Sequence, residues 1–180
     1  AVGIAREHYG LDVTVQPLVS ERDQNFRLQL ADGRRYVLKI ANALEDPNVT
    51  RFQIRALLHI EAWCGRNSFP LNVPRLLRTI SGDTHVTLQS ATASHIARVV
   101  TFVAGVPLEE RVPTAALCAK MGSYLAWLGR ALNDFDDPGS SQVLLWDMQQ
   151  ALAARRLLPH LRNVADRQLV TRTLQEFEQH

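Results

Sequence analysis

No apolar run in the sequence approaches the ~20 residues that a transmembrane helix requires. A spanning helix is therefore excluded. Ala1 to Leu11 carries Arg6, Glu7 and His8 where a secretory leader has its apolar centre. Ala stands first in place of Met, as expected of a processed or trimmed chain. Cysteine is scarce: Cys64 and Cys118 are the only two and lack metal-site spacing. They read as reduced thiols of a cytoplasmic protein, not as the staples of a secreted scaffold. An excess of one charge is also missing. Twenty basic and eighteen acidic residues leave +2, too little to imply a nucleic-acid or membrane partner, and no strand face alternates aromatic with basic residues. The histidines at 8, 59, 85, 95, 160 and 180 are dispersed, without the pairing of a helical metal site. Nucleophile elbow, cysteine–histidine arrangement, internal repeat and low-complexity tract are all absent. An apolar share of 46% and a charged share of 21% fit an ordinary globular chain of one domain or two small lobes.

What is present divides into two halves. The first half has strand patterns. Val13 to Val19 alternates, as does Asn25 to Leu30; Asp32-Gly33 then supplies a tight turn, and Tyr36 to Ala41 completes a hairpin. Asp46-Pro47-Asn48 opens a helix in which Phe52, Leu57, Ile60 and Cys64 recur at helical spacing, with Gly65 as its stop. Arg75 to Ile80 and Thr84 to Leu88 read as a second hairpin around Ser81-Gly82-Asp83, and Ile96 to Val103 as a further strand. After a linker near Val103 to Pro113 the strand patterns stop. Helical stripes follow: Leu117, Met121, Leu125, Leu128, Leu132 and Phe135; then Leu144, Met148 and Leu152; then Leu169, Leu174 and Phe177.

One residue breaks the strand pattern. Lys39 lies mid-strand on the face of Val37 and Ala41, opposite Tyr36, Leu38 and Ile40. A surface lysine pointing to water is the plain explanation. Three neighbours favour a phosphate ligand instead. Val37 could roof a purine, the polar turn Ser20 to Gln24 could offer backbone N–H groups to phosphate oxygens, and the helix that follows could offer a partner to the ammonium.

This order of parts, with SERDQNF, YVLKI, RVVTFVAGVPL, RALNDFDDP and Leu145-Trp146-Asp147, resembles the aminoglycoside phosphotransferase and choline kinase superfamily, a protein-kinase-like group. Within it the chain is most similar to the hydroxylysine kinase and homoserine kinase branch. The resemblance implies an α+β fold: a twisted antiparallel sheet with one helix over residues 1–103, then an incomplete helical lobe over 104–180. It implies that Lys39 holds the α- and β-phosphates of ATP, and that Ser20 and Asn25 flank a phosphate loop that is not glycine-rich here. Thr101, Phe102 and Val103 become hinge residues whose backbone meets the adenine edge. In the kinase pattern a helix glutamate pairs with the strand lysine. Gln53 falls in that slot and is favoured over Glu61, which lies about 12 Å further along the helix axis.

The same resemblance implies Mg2+, an acceptor hydroxyl on a small metabolite such as a hydroxylated amino acid or amino alcohol, and sometimes fusion to a class III aminotransferase. Asn133-Asp134-Phe135-Asp136-Asp137 imitates the kinase metal motif but directly follows a long amphipathic stripe, so it reads as a polar helix end. The superfamily's His-x-Asp-x-x-x-x-Asn loop and later metal-binding Asp are absent from the sequence. They are expected beyond His180, which would make this chain the first part of a kinase domain, inactive alone, with apolar helix faces prone to self-association. The rival reading is a non-catalytic interaction or scaffold module, on which nucleotide would produce no thermal shift.

Overall fold

The computed structural model describes residues 1–142 and 147–179. They form two compact units, Ala1–Ser140 and Ser141–His180. Leu144, Leu145 and Trp146 lie outside the described residues, as does His180.

The first unit is built on one six-stranded antiparallel sheet: β1 Thr14–Leu18, β2 Gln24–Gln29, β3 Arg35–Ile40, β4 Leu76–Leu77, β5 Val86–Gln89 and β6 Ser94–Thr101. The order is β1-β2-β3-β6-β4, with β5 also on β6. Alternation divides the sheet into an apolar and a polar face. Leu28, Leu38, Ala97 and Val99 form the apolar face and are buried against Ala5 and Tyr9. Those two come from an amino-terminal helix, α1 Val2–Tyr9, which the sequence pattern does not announce. Its last turn closes on Gly10, whose φ of 65° suits glycine. Burial pushes the Tyr9 phenol up to about 12.

The second expected hairpin is not one. The Thr79–Asp83 turn forms, with Thr79 N donating to Asp83 O at 2.9 Å. The segments flanking it do not pair with each other, however; β4 and β5 each pair with β6. The reason is that β6 carries the longest buried run, Ile96 to Val100, and its second edge would otherwise leave buried backbone groups unpaired.

α2 spans Pro47–Asn67, two residues past the expected stop at Gly65. Asp46 caps it by accepting from Asn48 N, Pro47 supplies the first turn, and Ser68 ends it at φ 51°. α3, Ala115–Leu132, opens on Thr114, which accepts from Leu117 N. Its Ala131, Trp127 and Leu128 meet Ile60, Cys64 and Trp63 of α2 in a second core. The Phe69 and Trp127 rings stack there with centroids 4.2 Å apart. α3 thus packs on α2 within the first compact unit.

The polar end of α3 is bound to α2. Arg55 holds both carboxylate oxygens of Asp137, His59 Nε2 lies 3.0 Å from Asp134 Oδ1, and Phe135 packs on Phe52 and His59. In the second unit α4, Val164–Glu178, carries the expected third stripe and is capped by Asn163. Met148–His160 is a 3-10 helix, not the α-helix expected there. In that winding residues three apart eclipse, so Met148 and Leu152 do not share a stripe.

Candidate phosphate site on the polar face

The polar face of the sheet carries a row of three side chains on adjacent strands. Register places Asn25 of β2 opposite Lys39 of β3, and Lys39 opposite Arg98 of β6. Lys39 Nζ donates to Asn25 Oδ1 at 3.1 Å. Asn25 Nδ2 in turn donates to Ser20 Oγ at 3.0 Å. The structure thus brings together Ser20, Asn25 and Lys39, which the sequence lines up only by the order of its elements. The turn between β1 and β2 is fastened at its far end, where Asn42 N donates to Asp23 Oδ1 at 3.1 Å and Asn42 Nδ2 to the Arg22 carbonyl at 3.2 Å.

The expected partner of the ammonium is not the observed one. Gln53 does not hold Lys39; its side-chain oxygen accepts from Arg98 Nη2. Glu61 is not its partner either, since it pairs with Arg75 at 3.2 Å. Lys39 faces its strand neighbours, and the nearest acceptor is therefore across the ladder, on Asn25. Among the described residues no carboxylate forms an ion pair with Lys39 or with Arg98. Burial holds the Lys39 ammonium below the usual lysine range, and the Arg98 charge lowers it further, against a smaller opposing pull from Asp23.

Val37 is half-buried and lies on the Lys39 face beside Val100. At the end of β6 the chain leaves the sheet at Phe102 and Val103, in the segment expected to form a hinge. Thr101 N donates to the Arg75 carbonyl at 2.9 Å and Phe102 N to the Arg35 carbonyl at 3.1 Å. Those two N–H groups are committed to the sheet and cannot also meet an adenine edge. Of the three hinge amides, Val103 alone has no backbone partner among the described residues. An open crevice borders the hinge, lined by Leu71, Val73, Arg75, Thr101, Phe102 and Val103.

Sequence reading missed Arg98. Its only signal is an arginine inside the apolar run Ile96 to Val100, the same anomaly that singles out Lys39. For a metal the described residues offer little: no group of three or more His, Cys, Asp or Glu could hold one. An anion fits better, because the row presents two cations and no paired acid.

The sequence profile of the phosphotransferase enzyme family matches residues 14–180. Among curated proteins the chain is similar to hydroxylysine kinase from Mus musculus, 25% identical over 99% of this chain and 51% of that protein. Hydroxylysine kinase from Bos taurus is 27% identical over 99% and 50%. The chain thus spans about half the length of these relatives. Its fold is similar to that of amicoumacin kinase hAmiN, solved with AMP-PNP, Ca2+ and Ami, at a TM-score of 0.64 and 15% identity over 98% of this chain and 52% of that one. A microcompartment-associated aminopropanol kinase matches at 0.58 and 16% identity, over 81% and 44%.

Proposed function

The chain belongs to the phosphotransferase enzyme family, and from that premise we propose that it is the ATP-binding part of a small-molecule kinase. The parent activity would transfer the γ-phosphate of ATP to a hydroxyl of a small metabolite, in the class of hydroxylated amino acids or amino alcohols. The curated relatives are kinases of one such compound. The observation that carries the reading is the fastened lysine: an ammonium held by Asn25, itself held by Ser20, on a half-buried sheet face with no paired acid.

The family resemblance implies a role for each residue. Lys39 meets the α- and β-phosphates as a point charge. Asn25 and Ser20 fix the lysine and the turn before β2 together, so that this turn lies near the phosphates. Val37 covers one face of the purine, and the amide of Val103 is the free donor for its edge. Phosphoryl transfer also needs an aspartate at the acceptor hydroxyl and ligands for Mg2+. We place these in the part of the complete domain that this chain does not include, so the chain alone binds nucleotide weakly and turns nothing over. The division into a nucleotide lobe, 1–103, and a helical lobe, 104–180, belongs to the same proposal, as do a cytoplasmic location and fusion to a class III aminotransferase.

Lys39→Met tests the reading. It removes a charge-assisted hydrogen bond, worth about 1.5–3 kcal/mol, and should weaken ADP binding roughly ten- to a hundredfold in a calorimetric or thermal-shift titration. Unchanged ADP binding would remove Lys39 from the site. If wild-type chain and full-length parent both fail to respond to nucleotide, with and without Mg2+, the scaffold reading takes its place.

A further inference from the structure

Arg98 is buried to 3% exposure at the centre of β6. One of its nitrogens, Nη2, donates to Gln53. Nε and Nη1 are shielded from solvent and have no hydrogen-bond partner among the described residues. Directly across the ladder stands a second cation, Lys39. Like charges opposite one another weaken a sheet, and a buried guanidinium without an ion-paired acid is costlier than an apolar side chain of similar size. A fold that keeps this arrangement sets two cations against a single carboxylate, Asp23, which pulls on both without forming an ion pair with either. Gln53 orients the guanidinium and, being neutral, leaves that charge intact.

We infer that Arg98 is the electrostatic partner of Lys39 in a two-cation seat for a polyanion, the di- or triphosphate tail of a nucleotide. This rests on the nucleotide reading above and adds to it. Lys39 touches the anion. Arg98 lies behind the contact surface and acts through its charge, which falls off slowly in a water-poor interior. The charged groups that face Lys39 are Arg98 from β6 and Asp23 from the turn before β2; β2 contributes the neutral Asn25, and α2 the neutral Gln53 beyond Arg98. The seat therefore has excess positive charge of its own and takes pyrophosphate without a metal ion. A glutamate at position 53 would pair with Arg98, stabilise the empty fold and weaken the anion site. If position 53 served to anchor Lys39, a glutamate there would have the opposite effect on binding.

The test is a thermal-shift and titration series on the chain with pyrophosphate, ADP and adenosine, without metal, at pH values from neutral to alkaline. The proteins are wild type, Lys39→Met, Arg98→Met, Arg98→Lys and Gln53→Glu. Arg98→Met and Gln53→Glu should each lower pyrophosphate and ADP affinity roughly tenfold or more, Arg98→Lys should retain most of it, and adenosine should not distinguish the five. Wild-type affinity should fall as pH rises and Lys39 loses its proton. In Arg98→Met and Gln53→Glu that fall should move to higher pH, because a neighbouring like charge is removed or neutralised. If Lys39→Met weakens ADP while Arg98→Met and Gln53→Glu bind as wild type with an unmoved pH profile, the two-cation seat is wrong and the nucleotide reading stands. If Lys39→Met also changes nothing, both fall; a wild-type chain that binds neither ligand at millimolar concentration overturns the two-cation seat, and the full-length parent then decides the nucleotide reading. Should Arg98→Met fail to fold, Gln53→Glu decides: equal or tighter binding of pyrophosphate overturns the proposal.

Discussion

Leu38 and Lys39 are adjacent in sequence and opposite in consequence. Leu38 has no exposed surface and packs with Leu28, Val99, Ala5 and Tyr9. Lys39 projects to the other face, where Asn25 is its only hydrogen-bond acceptor among the described residues. Leu38→Ala should therefore lower stability by about 2–5 kcal/mol, the range for a buried leucine truncated to alanine, read as a shifted urea midpoint. Lys39→Met should leave that midpoint unchanged or raise it, since it removes one of two neighbouring cations from a half-buried face. A large loss of stability in Lys39→Met would make this lysine a structural residue, contrary to the role assigned to it.

At the scale of elements, the contact between α2 and the end of α3 depends on two carboxylates. The hydrogen-bonded Arg55 guanidinium holds Asp137 below the usual aspartate range, and the hydrogen-bonded His59 ring does the same for Asp134. A depressed folded-state value contributes stability that is fully present above the unfolded value, near 3.9 on the usual scale, and is lost as pH falls through the folded one. Wild type should therefore exceed Asp137→Asn in stability by a constant margin at neutral pH. The margin should shrink as pH drops below roughly 4, measured by denaturant titration at each pH. A margin that persists unchanged into strong acid would mean that the Arg55–Asp137 pair adds nothing to the packing of α3 on α2. The pentapeptide Asn133 to Asp137, which imitates a metal motif in sequence, is on this view a fastening between helices.

For the whole molecule, the helices beyond the sheet leave apolar surface in water. On α3, Met121 and Leu125 are 40% and 61% exposed, and with Lys120 and Tyr124 they line a shallow apolar groove. In the second unit Leu157, Val164 and Leu169 are exposed. Monomeric proteins seldom expose contiguous apolar patches beyond a few hundred Å². The chain should therefore self-associate as concentration rises, visible as a growing mass in light scattering. A constant monomer mass at high concentration would show that these side chains do not form an adhesive surface.

The sequence alone determined the strands β1 to β3, the start of α2, and the anomalous lysine, because each has a local cause: alternation, a turn dipeptide, a capping residue, a charge amid apolar neighbours. It also carried the family resemblance that the profile match to residues 14–180 bears out. Contacts between distant segments were decided only by the tertiary structure. β4 and β5 part from each other because β6 offers both a buried edge. α1 is too short to announce itself and is held by the sheet that it covers. Gln53 and Glu61 looked like rivals for Lys39 on a helix drawn in isolation, yet Arg98 and Arg75 take them, and the lysine turns to Asn25. A side chain's partner depends on which strands lie side by side, and strand order is a property of the folded chain that no local pattern encodes.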